Sequence, residues 1–232
     1  AVIDSKISAV PPSRYISLGF PRNDYLIRPR LSKETVHQRL GLDPDQRILV
    51  YNPTHRSQLE SSVDYMDHVN DFLKSNQLLE VLNTHNAVLV VKFHSNEISM
   101  SGIETLGSHV KFYRPGVISY YDILPHAELM ITDYSSIYFD FLLTNKPVIF
   151  YQFDYDSYKT GRGFAHFDLS EICAGPRCYS RAELIIAMSS VLGDDADKWC
   201  KKRLEITNKF HCHTDGKSAE RFAEYILGSV KG

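Results

Sequence analysis

Residues 129–143 read LMITDYSSIYFDFLL, and the change of pattern inside them decides the fold. Leu129-Met130-Ile131 is a short apolar run of the kind a strand buried on both faces carries. Thr132-Asp133-Tyr134-Ser135-Ser136 follows with polar, turn-forming side chains. From Ile137 to Leu143 apolar residues recur at helical spacing. A strand, a tight turn and a helix start are therefore contiguous.

The same alternation extends in both directions. β-Branched or aromatic runs predict strands at Arg14 to Leu18, Ile48 to Tyr51, Ala87 to Phe93, Val110 to Tyr113, Leu129 to Thr132 and Val148 to Tyr151. Between several of them, Val63 to Leu73, Tyr120 to His126 and Ser136 to Leu143 predict helices. Near-continuous apolar strands separated by helices imply an α/β fold with a Rossmann-like, doubly wound parallel sheet. After Tyr151 the pattern loosens around Gly161, Gly163, Gly175 and Pro176. Two further helices are expected, Arg181 to Leu192 with an apolar stripe through Leu184, Ile185, Met188 and Leu192, and Ser218 to Leu227 through Phe222, Tyr225 and Ile226. The last is suited to docking on a neighbouring domain.

With 232 residues, 43% of them hydrophobic, the chain can bury a full core as a single domain, and no repeat or linker divides it. A net charge of -2 and a pI near 6.6 provide no global cationic field, which argues against nucleic-acid binding. An anionic ligand would have to be held locally. Cys173, Cys178, Cys200 and Cys212 form no C-x-x-C pair, so reduced thiols in a cytoplasmic setting are expected. No run is apolar for the 18 or so residues that span a bilayer. The opening segment lacks a basic region followed by an apolar one and reads like the interior of a longer protein.

In a doubly wound sheet, ligands bind outside the carboxyl ends of the strands. Four polar clusters sit there. Ser135 and Ser136 either cap the following helix or leave its N–H groups and dipole facing a phosphate. Asp140, one turn on, either accepts from a ligand hydroxyl or faces solvent. In Lys92-Phe93-His94 the first and third side chains share one face, where the imidazole is either structural or stabilises a phosphoryl or leaving group. Asn52-Pro53-Thr54-His55-Arg56 and Gly19-Phe20-Pro21-Arg22-Asn23-Asp24 each offer a guanidinium fork suited to phosphate, although either could be plain turn chemistry. Gly161-Arg162-Gly163-Phe164 is a candidate lid or simply a loop. His211-Cys212-His213 is a weak metal candidate, because adjacent side chains in an extended segment diverge and no third ligand is evident. No metal is expected. G-x-G-x-x-G and the P-loop pattern are absent.

The order of these motifs, with K-P-V-I-F-Y at 146–151, R-G-F at 162–164, G-P at 175–176 and D-G-K-S-A-E-R at 215–221, resembles the CDP-glycerol:poly(glycerophosphate) glycerophosphotransferase family, the bacterial teichoic acid and capsule polymerases. The resemblance implies the C-terminal, donor-binding half of a GT-B glycosyltransferase, with an N-terminal acceptor domain outside residues 1–232. It implies transfer of glycerol phosphate from CDP-glycerol to a polymer acceptor with release of CMP and without a required cofactor. The site implied is His94 as the catalytic group, with Arg22, Thr54, His55, Arg56, Lys92, Phe93, Ser135, Ser136 and Asp140 around the donor. A further histidine, usually in a W-H-G-type motif of the preceding domain, has no counterpart in this sequence. The role of His55 is open, since relatives often carry another residue before the arginine. The setting implied is cytoplasmic, with peripheral contact to the inner face of the bacterial membrane. The alternative is a GT-B half using a nucleotide sugar for cell-surface polysaccharide.

Overall fold

The structure is a computed structural model and describes residues 11–56, 62–93, 107–161, 169–193 and 195–230. Six strands, β1 (Arg47–Asn52), β2 (Ala87–Val91), β3 (Val110–Phe112), β4 (Ala127–Thr132), β5 (Val148–Tyr151) and β6 (Arg177–Cys178), form one sheet in the order β3-β2-β1-β4-β5-β6. Every pairing is parallel. This is the doubly wound order in which the chain reverses its winding between β1 and β4, opening a crevice at their carboxyl ends.

The helices are α1 (Asp24–Ile27), α2 (Lys33–Leu40), α3 (Ser62–Leu73), α4 (Asn76–Thr84), α5 (Tyr120–Ile123), α6 (Ile137–Phe141), α7 (Tyr155–Gly161), α8 (Leu169–Ile172), α9 (Arg181–Leu192), α10 (Cys200–Phe210) and α11 (Ser218–Val230). Strand alternation sorts the sheet into two faces. Leu49, Tyr51, Leu89, Val91, Leu129 and Ile131 pack with Phe72, Leu82, Leu184 and Met188 from α3, α4 and α9. Ile48, Val50, Val88, Val90, Met130 and Phe150 pack with Val36, Ile123, Phe141 and Ile206 on the other side. Burial of each such side chain is worth roughly 1.5–3 kcal/mol, so the sheet is the rigid base of whatever its rim carries.

Serine caps set several helix starts: Ser32, Ser75 and Ser180 accept from the N–H groups of Thr35, Leu78 and Glu183. Gly175 is dictated by close approach, because a Cβ there would stand 1.8 Å from the Val148 carbonyl oxygen. Gly19 has φ +80°, and a Cβ on it would lie 2.4 Å from Ser218 Oγ. Beside it, Asp24 accepts from Ser218 N at 2.9 Å and Ala219 N at 2.8 Å, capping α11. The G-x-P-R-N-D and D-G-K-S-A-E-R motifs, nearly the length of the chain apart, thus pack on each other.

Two expectations change. Arg14 to Leu18 is not a strand: Pro12–Arg14 is a 3-10 turn and the following residues take no regular structure. A strand requires a partner, and the sheet's described edges are β3 and β6. The short strand β6 and the helices α1, α2, α4, α7, α8 and α10 lie outside the predicted elements. On α11, Phe222, Tyr225, Ile226 and Leu227 are exposed. Among the described residues no helix is long and apolar enough to cross a membrane.

Candidate functional site

The crevice between β1 and β4 contains a cavity of about 280 Å³ walled by residues from three strand ends and from the Gly19–Asp24 turn. Asn52, Thr54 and His55 come from the end of β1, Lys92 from the end of β2, Ser135 and Ser136 from the end of β4, and Arg22, Tyr121 and Asp140 close the side. Of the residues expected at the site, Arg22, Thr54, His55, Lys92, Ser135, Ser136 and Asp140 are therefore together. His94 and the Arg162-Gly163-Phe164 stretch lie outside the described residues.

Asp133 is the pin that fixes two of these turns to each other. Its carboxylate accepts from Thr54 N at 3.0 Å, Thr54 Oγ1 at 2.6 Å, Arg56 Nη2 at 2.7 Å and Tyr134 N at 2.5 Å. A carboxylate at 4% exposure with this many donors is satisfied, and the turn after β1 has no freedom to move relative to the turn after β4.

Arg56 belongs to this pin rather than to the cavity. Its side chain is 1% exposed, ion-paired to Asp133 at 2.7 Å and to Asp154 at 2.8 Å. The rings of Tyr65, Tyr134 and Tyr158 surround its guanidinium at 4.6, 5.2 and 4.8 Å. Burial acts to lower its pKa, but Asp133 and Asp154 outweigh that and raise it, so the charge is permanent. Arg56, expected around the donor, thus does not line the cavity.

Phe93 likewise does not line the cavity. It is 4% exposed and stacks on Phe112 at 5.9 Å within the core on the Leu89 and Val91 face. Strand alternation requires this, because Lys92 shares its face with Val88 and Val90 while Phe93 takes the opposite one. The Lys92 ammonium lies over the Tyr120 ring, 5.4 Å from its centroid. Tyr120 in turn donates to the Asn52 side-chain oxygen, and Thr132 Oγ1 donates to the Asn52 carbonyl at 2.8 Å. Burial lowers the Lys92 pKa, and among the described residues no carboxylate pairs with it. A half-buried cation without a counter-charge favours an anion in the cavity.

Ser136 holds the backbone cap position of α6 but makes no side-chain capping bond. Both serine hydroxyls are left at the cavity. The helix they precede has only five residues, so its dipole contributes little and fixed charges must carry the electrostatics. Asp140 is not waiting for a ligand hydroxyl. It accepts from Arg22 Nε at 3.2 Å, Asn23 Nδ2 at 2.9 Å and the Tyr121 hydroxyl at 2.6 Å, and is ion-paired to Arg22 Nη2 at 3.1 Å. Arg22, half-exposed and stacked over Phe20 at 4.6 Å, is thereby held at the cavity edge.

Tyr121 has no place among the expected site residues, and Asn52, which opens the turn cluster after β1, joins them at the cavity. Asn52 shares the face of Ile48 and Val50 at the strand end, a parity that marks it for the crevice. Tyr121 carries no local signal, since its role depends on Arg22 and Asp140 meeting from distant segments. His211 and His213 each bond a different backbone carbonyl, that of Phe139 at 2.7 Å and that of Ser17 at 3.0 Å, tying α10 and its exit to the fold.

A family profile described as CDP-Glycerol:Poly(glycerophosphate) glycerophosphotransferase matches residues 9–228. The teichoic acid poly(glycerol phosphate) polymerase of Bacillus spizizenii is 26% identical over 237 residues, with 92% of this chain and 53% of that protein covered. The teichoic acid poly(ribitol-phosphate) polymerase of the same organism is 24% identical over 216 residues, covering 91% and 33% respectively. Among solved structures, that of the wall teichoic acid polymerase TagF matches with a TM-score of 0.74 at 22% identity, covering 96% of this chain and 53% of the other. The chain spans about half the length, or less, of these proteins.

Proposed function

The chain belongs to the CDP-glycerol:poly(glycerophosphate) glycerophosphotransferase family, and from that premise we propose that its crevice binds the diphosphate of CDP-glycerol for transfer of glycerol phosphate to a teichoic-acid-like or capsular polymer. The observation that carries the reading is the gathering of Thr54, Lys92, Ser135, Ser136 and Arg22 around one cavity at the point where the sheet's winding reverses. Its volume of about 280 Å³ suits a diphosphate and a small polyol, with the nucleoside extending beyond it.

In the reaction, a terminal polymer hydroxyl attacks the β-phosphorus. The new P–O bond forms as the bond to the bridging oxygen breaks, and CMP leaves with that oxygen. Catalysis rests on positioning and on cations facing the developing charge. Arg22 and Lys92 supply that charge, Ser135 and Ser136 donate hydrogen bonds, and Asp133 keeps the two turns in register. His94 is the assigned helper at the leaving phosphate. The base that takes the hydroxyl proton is assigned to an acceptor-side domain of the same protein, a division supported by the 53% of the relative's length that this chain spans. That setting is cytoplasmic, at the inner face of the membrane.

Calorimetric titration of the 232-residue chain with CDP-glycerol, CDP-ribitol, CMP and UDP-sugars tests the reading. Binding of the CDP-linked polyols at least about tenfold tighter than of UDP-sugars is expected, since a lost base-specific hydrogen-bond set costs at least that. Indifference to every cytidine nucleotide would overturn it. A preference for UDP would move the assignment to a nucleotide-sugar transferase.

A further inference from the structure

Arg22 has a counterpart. Arg30 donates through Nε and Nη2 to the two oxygens of Asp122, at 3.1 and 2.5 Å, while Arg22 donates through Nε to Asp140 at 3.2 Å with its Nη2 ion-paired to the same oxygen at 3.1 Å. In both pairs the carboxylate is buried, at 1% exposure for Asp122 and 8% for Asp140, while the arginine stays half-exposed, at 52% and 51%. Each guanidinium also lies on an aromatic ring: Arg30 on Tyr25 at 4.9 Å, Arg22 on Phe20 at 4.6 Å. Two arginines on one segment are thus moored alike, by one edge on a buried carboxylate and one face on an aromatic ring, Arg30 across both oxygens of Asp122 and Arg22 on Oδ2 of Asp140. A moored guanidinium loses little side-chain entropy on gripping an oxyanion, so the arrangement is prepared for a phosphate.

The first moored arginine edges the donor cavity. The second lines a separate open groove of about 470 Å³ with Arg39, Tyr113 and Ser119. The single helix α5 stands between them, with Tyr121 on the cavity side holding Asp140 and Asp122 on the groove side holding Arg30. Asp122 cancels the charge of Arg30, but Arg39 is exposed and has no carboxylate partner among the described residues, so the groove is net cationic. Among the described residues the one carboxylate lining it, Asp122, is already spent on Arg30.

We propose that this groove is a second phosphate subsite, which holds a phosphodiester of the polyanionic acceptor while the donor diphosphate occupies the first cavity. The inference rests on the donor reading above for the identity of the polymer, and on the duplicated mooring for the site itself. A chain of alternating phosphates and short polyols can place successive charges on either side of one helical turn, which a lone nucleotide cannot.

The test uses the 232-residue chain, a synthetic trimer of glycerol phosphate, and calorimetry with and without saturating CDP-glycerol. Trimer binding is expected to persist when the donor cavity is filled. Arg39→Glu should weaken it at least about tenfold and Arg30→Lys about three- to tenfold, the range for losing a charge or a bidentate contact. CDP-glycerol affinity should stay within about twofold in both. Lys198→Glu, at an exposed site remote from the groove, controls for diffuse charge. Competition of the trimer with CDP-glycerol, indifference to both arginine substitutions, or an equal loss in the Lys198 variant would overturn the subsite. So would failure of the trimer to bind a chain that binds CDP-glycerol. A chain that binds the trimer with the expected arginine dependence but ignores CDP-glycerol would retain the groove and remove the donor reading instead.

Discussion

The turn at Gly19–Asp24 and the turn at Asn52–Arg56 look alike in sequence, each ending a run of ordered residues with a proline and then an arginine. In the folded chain they do opposite work. Arg22 faces one buried carboxylate and keeps half its surface in water, whereas Arg56 faces two and has 1% of its side chain exposed. At these two turns a second carboxylate separates a guanidinium left available to a ligand from one held as a strut. Lys92 extends the series to none among the described residues, and of the three it is the one whose pKa is lowered on balance.

The comparison breaks most easily at Arg56. Arg56→Ala leaves Asp133 and Asp154 facing each other without a counter-charge, and a loss of about 3–5 kcal/mol of stability is expected from urea denaturation. A loss below about 1 kcal/mol would mean that the tyrosine cage, and not the ion pairs, holds the turns. Arg22→Ala should split the two properties the other way. Asp140 retains Asn23 and Tyr121 as donors, so stability should fall by no more than about 1 kcal/mol, while CDP-glycerol binding weakens about ten- to a hundredfold. Equal affinity in that variant would take Arg22 out of the donor site.

The smallest effect sharpens the case of Lys92. Burial places its folded pKa below the unfolded value, so between those two values the unfolded chain holds more protons than the folded one. Stability therefore rises with pH through that window, and Lys92→Met should abolish this rise. A bound diphosphate restores the ammonium, so donor binding in alkaline buffer should take up a fraction of a proton. Calorimetry in two buffers of different ionisation enthalpy reads that uptake, and buffer-independent enthalpies would remove Lys92 as the anion's partner.

The sheet was legible because its strands are buried on both faces and so announce themselves as apolar runs; LVY at 49–51 and AVLVV at 87–91 left little choice. β6 was not, because two residues show no alternation and their pairing with β5 depends on Gly175 admitting the Val148 carbonyl. Arg14 to Leu18 misled for the reverse reason, since strand-like composition does not supply a partner. The rim was legible as a place, through the polar clusters that follow strands. The division of labour within it was not, because Arg22, Asp140 and Tyr121 come from three distant segments and nothing in any one of them names the others. Phe93 could have been excluded from the donor side by parity alone.

The cap that Asp24 places on α11 has a consequence for synthesis. The first amides of that helix belong to Ser218 and Ala219, so the segment carrying Arg22 and Asn23 meets its packing partner across 194 residues of chain, after every strand of the sheet has been made. A nascent chain stopped short of those amides would possess the sheet yet lack one wall of its crevice, so binding competence would arrive later than the core.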